Sequence, residues 1–148
     1  MAAKSDSHGP LTAINRLIRG NRVAEYSSPN LVLGMTPVEF GAGTSRWVWE
    51  EQPAAAVNPF GTVQGGYLAV FIDELLSTAI ASVLEEGEWA MTVEFKINFL
   101  RRLSPGRLEG NAKVLRRSRT LGFLEAQVAK EGGAIAVTAS SIWAISRR

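Results

Sequence analysis

From Tyr67 to Leu84 the chain is apolar at all but a few positions, with Asp73 and Glu74 side by side in its middle. Such a run, free of glycine and proline, favours a helix, and a helix apolar on nearly every side has to be buried. Asp73, Glu74, Ser77, Thr78 and Ser82 interrupt it too often for a membrane span. Carboxylates inside a core are costly unless they are paired, hydrogen-bonded or used. Asp73 therefore requires a reason for its position. The run is introduced by Asn58-Pro-Phe-Gly61-Thr-Val-Gln64-Gly65-Gly66, a glycine-rich turn that delivers the chain into the start of the helix.

Composition removes several chemistries. There is no cysteine, so disulfides, thiolate metal sites and cysteine nucleophiles are excluded. The one histidine, His8, falls in a polar N-terminal stretch that reads as a disordered tail. A Ser-His-Asp hydrolase and a histidine-based zinc site are excluded with it, and neither metal nor cofactor is expected. The chemistry is left to carboxylates, hydroxyls, amides and backbone donors. No signal peptide is legible, and the expected location is the cytoplasm, without membrane attachment.

The formal net charge is only +2, yet Arg101, Arg102, Arg107, Lys113, Arg116, Arg117 and Arg119 crowd into one segment. They read either as a solvated strand edge or as a docking surface for a polyanionic small molecule. Aromatic residues do not interleave with them, so nucleic acid is not expected.

Along the chain, apolar positions 11, 14, 17 and 18 give a short helix ending near Gly20. Residues 36–49 read as strand, with Gly41-Ala42-Gly43 as a hairpin turn or bulge. The long helix spans about 66–84. Then Met91, Val93, Phe95, Ile97 and Phe99 alternate with Thr92, Glu94, Lys96 and Asn98, a clean period of two. Strands follow at 108–115, 123–129 and 134–145, joined by tight turns that include Glu131-Gly132-Gly133. A single apolar helix needs a wrapper, and a meandering antiparallel sheet supplies one, which makes the class α+β. One sheet cannot cover a helix all round, so a second copy of the chain is expected to add cover.

The run Asn58-Pro-Phe-Gly61-Thr-Val-Gln64-Gly65-Gly66, with Asp73 nine residues after Gln64, resembles the hot-dog fold acyl-CoA thioesterases. Within them it is similar to the PaaI-like and 4-hydroxybenzoyl-CoA thioesterase branch. The strand Met91-Thr-Val-Glu-Phe-Lys-Ile-Asn-Phe-Leu-Arg101 resembles the strand that follows the helix in that family. The likeness covers about residues 31–146. It implies an antiparallel sheet wrapped around one central helix, with 1–30 as a tail and short helix and 31–148 as the hot-dog domain. It implies hydrolysis of an acyl-CoA to a free acid and coenzyme A. In the family the position of Gln64 is usually histidine, a donor to the substrate carbonyl. A glutamine amide donates in the same way but cannot shuttle a proton.

By this reading Asp73 is the nucleophile or the general base, with Ser77 one turn along the same face orienting the carboxylate or a water. The N–H groups near Gly65 and Gly66 form the oxyanion site, and Gln64 and Asn58 complete the catalytic set. Arg101, Arg102 and Arg119, with Gly66, are candidates for binding coenzyme A. Asn58 as turn chemistry, Ser77 as a packing hydroxyl, Glu74 as a structural or rim charge and Asp73 as a backbone cap are the plainer alternatives. Gly66 and Asp73 are separated by ~10 Å of helix rise. They can meet one carbonyl only if they come from different copies, so a homodimer is expected to be required, with a homotetramer as the assembly. The alternative to an enzyme is a non-catalytic acyl-CoA binding protein of the same fold. The acyl group is not specified by these residues.

Overall fold

The computed structural model describes residues 10–147; His8 and the expected tail lie outside them. A helix α1 (Pro10–Arg19) is followed by 3-10 turns at Val23–Glu25 and Pro29–Leu33. Next comes the hairpin β1 (Met35–Gly41) and β2 (Thr44–Trp49), then a third 3-10 turn at Ala54–Ala56. The long helix α2 (Gly65–Ala81) leads to β3 (Glu88–Phe99), β4 (Leu108–Arg117), β5 (Leu121–Lys130) and β6 (Ile135–Arg147). The six strands form one antiparallel sheet in the order β1-β2-β4-β5-β6-β3, curled around α2 in the hot-dog manner.

The strands do not simply meander, as the sequence suggested. The helix carries the chain across the sheet between β2 and β3. Consequently β4 pairs with β2, and β3 is left at the far edge with β6 as its one neighbour among the described residues. The helix also stops sooner than expected, at Ala81. Beyond it the Ser82 hydroxyl donates back to the Ala79 carbonyl at 2.7 Å and accepts from the Gly43 N–H at 2.7 Å, in the β1–β2 turn. The turn residue Gly43 has φ +78°, a conformation suited to glycine.

Two glycines seat the helix. A side chain at Gly110 of β4 would meet Leu75 Cδ1 at 2.5 Å and Phe71 at 3.0 Å, and one at Gly122 of β5 would meet Ile80 Cδ1 at 2.6 Å. Phe71, Ile72, Leu75, Leu76 and Ile80 fill the space against the sheet, together with Trp47, Trp49, Leu108, Leu124 and Val128. Two polar groups in this core find partners on the helix. The Trp47 indole donates to Thr78 Oγ1 at 3.0 Å, and Ser45 Oγ donates to the Leu75 carbonyl at 2.6 Å.

The opposite flank of α2 is covered by the N-terminal segment, and Glu74 fastens it. Its carboxylate, 7% exposed, accepts from Ser28 Oγ at 2.6 Å, Asn30 Nδ2 at 2.6 Å and the Tyr26 hydroxyl at 3.3 Å. Of the two adjacent carboxylates, Glu74 is the structural one. Near the end of α2, α1 is tied down by Asn15 Nδ2 to the Glu88 carbonyl (3.2 Å) and Arg19 to the Leu84 carbonyl (3.0 Å). Arg16 and Arg19 also pair with Glu86. Gly110→Val forces branched bulk between β4 and the helix and should lower unfolding stability by about 1–3 kcal/mol; chemical denaturation of the two proteins checks this.

Candidate active site

Sheet on one side and N-terminal segment on the other leave one stripe of α2 partly open. Gly66 is exposed, and Ala69, Val70, Asp73 and Ser77 are half-buried. These positions recur at helical spacing, so they share a face. That face adjoins the free edge strand β3. The sheet and the N-terminal segment cover two flanks of the helix, and the uncovered flank carries Asp73.

Among the described residues Asp73 has one hydrogen-bonding partner, the Thr92 hydroxyl, which donates to Oδ1 at 3.3 Å. Partial burial drives its pKa above the ordinary aspartate range and the neighbouring Glu74 charge adds to that, while the Thr92 bond works in the opposite direction. Ser77 does not reach the carboxylate; its hydroxyl donates to the Glu74 carbonyl at 3.1 Å. The positioning contact sought at Ser77 is thus supplied by Thr92.

Period-two reading misses Thr92 because β3 is bulged. Register shifts between Thr92 and Glu94, so Val93 has no partner on β6. Inward positions are Ala90 and Thr92 before the bulge and Phe95 and Ile97 after it. Met91 and Val93, apolar in sequence, face outward at 54% and 60% exposure. The alternating pattern looked uniform from end to end, and nothing in it signalled the extra residue.

The start of α2 holds a second group of features. Gln64 is the N-cap residue; its side chain is exposed, makes no capping bond and is free to donate. The N–H groups of Gly65 and Gly66 make no hydrogen bond to any described residue. A side chain at Gly65 would strike the Phe99 ring at 3.0 Å, whereas nothing lies within 4 Å of one at Gly66. Both amides are therefore without a partner among the described residues, at the positive end of the helix. Arg101 and Arg102 join Gly65, Leu68 and Phe99 around a cleft of about 410 Å³ at this end.

Asn58 is occupied by turn chemistry. Its Oδ1 accepts from the N–H groups of Phe60 (3.0 Å) and Thr62 (3.2 Å), and its Nδ2 donates to Thr62 Oγ1 at 2.8 Å. Arg119 lies at the other end of the protomer, in a cleft with Glu85, Glu88, Arg117 and Arg147 near the C-terminus of α2. Arg107 and Lys113 of the basic segment pair with carboxylates. Among the described residues no group of acidic or histidine side chains is arranged to hold a metal ion, and no helix is long and apolar enough to cross a membrane.

The helix thus presents an acid on its uncovered flank and free amides with a glycine pair at its start. The sequence model of the thioesterase superfamily matches residues 60–137, more than half of the chain. The chain belongs to this superfamily and is a thioester hydrolase. Its fold is similar to a phenylacetic acid degradation-related protein of Ralstonia eutropha JMP134 (27% identity, TM-score 0.74, covering 88% of this chain and 98% of that one). A conserved protein of Pseudomonas aeruginosa is similar at 26% identity and TM-score 0.75 over 82% and 95%. The E. coli PaaI protein of the phenylacetic acid degradation operon shares the fold at 18% identity and TM-score 0.76, over 93% and 96%. No curated protein sequence matches.

Because Asp73 has a raised pKa in the folded state, its neutral form is the one the fold favours. That contribution is full below the unfolded pKa and is lost as pH rises through the folded pKa. Asp73→Asn should therefore melt higher than wild type at pH 7, and the gap should close as pH falls below about 4. Thermal melts across that range test it.

Proposed function

We propose that the protein hydrolyses acyl-CoA thioesters at two sites per dimer, each built from the helix start of one protomer and Asp73 of the other. The observation that carries this is the open stripe of α2. It exposes Asp73 and the free Gly65 and Gly66 amides on one face, yet separates them by ~10–12 Å of helix rise. One carbonyl cannot reach both within a single copy.

The edge strand supports the pairing. β3 is twelve residues long and has a free edge, and Phe99, 55% exposed, overlies Gly65. An antiparallel pairing of β3 with its copy, centred between Phe95 and Lys96, sets Thr92 of one protomer opposite Phe99 of the other. Thr92 touches Asp73 and Phe99 touches Gly65, so this register brings the two half-sites together. Met91 and Val93, with Leu115 and Leu121 of β4 and β5, leave apolar groups on the outer face of the sheet, where we place the contact between two dimers of a tetramer.

In this site the thioester oxygen lies against the Gly65 and Gly66 amides, with the Gln64 amide as a further donor. Asp73 then follows one of two routes. It attacks the carbonyl carbon and expels the coenzyme A thiolate, leaving an anhydride that water cleaves, or it takes the proton of a water that attacks directly. After a single turnover in H₂¹⁸O, label in Asp73 identifies the first route. Arg101 and Arg102 meet the phosphates of coenzyme A, and Arg119 contributes from the end of the molecule that this pairing brings alongside. The binding-protein alternative is disfavoured by Asp73 itself, a desolvated carboxylate with one weak partner.

Asp73→Asn should lower thiol release from a panel of acyl-CoAs by two or more orders of magnitude. Binding of acyl-CoA without any turnover by the wild type would establish the alternative. Asp73 must be ionised to act, so the acid limb of kcat/KM should lie above that of an ordinary aspartate. Thr92→Val, which removes the bond favouring the charged form, should move that limb to higher pH.

Gly66→Phe fits the isolated protomer and should block the approach of the carbonyl. It should be as inactive as Asp73→Asn when each is assembled alone. Co-assembled, the two variants should regain about a quarter of wild-type turnover, since half the dimers are mixed and each mixed dimer has one intact site. No recovery would overturn the shared site.

A further inference from the structure

Phe60 is the most exposed aromatic side chain among the described residues, at 80%, and it stands on a loop built to keep it there. Asn58 shapes that loop from within. Its Oδ1 accepts from the Phe60 and Thr62 N–H groups, its Nδ2 donates to Thr62 Oγ1, and its own N–H donates to the Thr62 carbonyl at 2.9 Å. Gly61 turns the chain at φ +74°, and Val57 and Val63 bridge the base. A lone exposed apolar residue is ordinary on a protein surface. A ring held out by a loop tied in this way is a preordered contact surface, because binding has little freedom left to remove.

The loop also has a fixed neighbour. The Val63 N–H donates to the Leu103 carbonyl at 2.8 Å, which sets the loop against the segment carrying Arg101 and Arg102. Thr62 and Val63 share with both arginines the lining of the cleft of about 410 Å³ at the start of α2. Arg107 and Lys113 are committed to carboxylates, whereas Arg101 and Arg102 have no ion-pair partner among the described residues. Two unpaired arginines beside a projecting aromatic ring suit a nucleotide: they offer charge for phosphate and a flat apolar face for a base.

We propose that Phe60 is a specificity residue that stacks on the adenine of coenzyme A, and so selects thioesters carried on a nucleotide over those carried on the phosphopantetheine arm of a protein. The proposal rests on the acyl-CoA reading above for its ligand. Both carriers present the same thioester and the same pantetheine arm, so Asp73 and the Gly65 and Gly66 amides meet identical groups in either. Both also bring phosphate, which the arginines attract without telling one carrier from the other. The base is what a protein carrier lacks, and a contact made to it alone discriminates by affinity difference. Stacking of this kind is made equally in the ground state and the transition state, so it acts on KM and leaves kcat alone.

The test offers one acyl group on coenzyme A and on 4′-phosphopantetheine, which lacks the nucleotide. Phe60→Ala should raise KM for the acyl-CoA about five- to hundredfold at unchanged kcat, and should leave the phosphopantetheine thioester as it is in wild type. Phe60→Tyr keeps the ring face and should keep the wild-type preference. Equal losses on the two thioesters, or no loss on either, would overturn the proposal. So would a weakened dimer of Phe60→Ala in sedimentation, which would assign the ring to a contact between copies. Calorimetric titration with coenzyme A separates this inference from the hydrolase reading. Binding that weakens in Phe60→Ala while no thioester is cleaved defeats the hydrolase reading and upholds the stacking. Turnover accompanied by coenzyme A binding that is absent, or equal in the two proteins, defeats the stacking alone.

Discussion

Glu74 holds a carboxylate out of water in the middle of the central helix, and the placement of everything on that flank depends on how it is satisfied. An isolated charge there would cost several kcal/mol. Three donors, from Tyr26, Ser28 and Asn30, offset that cost and fix the path of the N-terminal segment. The same contacts push the Tyr26 hydroxyl far above its ordinary pKa, through its burial first and the Glu74 charge second. With that flank closed and the sheet occupying another, the helix has one face left to water. Asp73 is on it because successive residues point ~100° apart. Two neighbouring acids thus receive opposite environments from one rotation.

Much of this was legible before any coordinates. The long helix, the turn that introduces it and four of the strands follow from apolar spacing and glycine placement, because those signals are local. What escaped is non-local. The order of strands depends on where the helix lands on the sheet, and it lands on Gly110 and Gly122, whose meaning as seats appears only once Leu75 and Ile80 stand over them. The role of Glu74 was open between structure and rim because its three partners lie more than forty residues away.

The candidate site divides in the same way. Asp73, Gly65 and Gly66 stand out from their own surroundings, as an acid in an apolar run and a glycine pair at a helix start. Asn58 proved to be committed to its own loop, and Ser77 to a carbonyl one turn back. Thr92 was hidden because a single bulge inverts the faces of β3 partway along, so the residue that reads as outward turns towards the helix.

Residues 60–137, which match the thioesterase superfamily, contain the helix start, Asp73 and Thr92. A cavity between α1 and the C-terminal half of α2 is walled in part by Ile14, Ile18 and Trp143, which lie outside that segment on both sides. The segment that carries the family match and the walls of this cavity are thereby drawn from different parts of the chain. Exchange of the first helix or the last strand would therefore reshape this cavity while the helix start, Asp73 and Thr92 stay where they are.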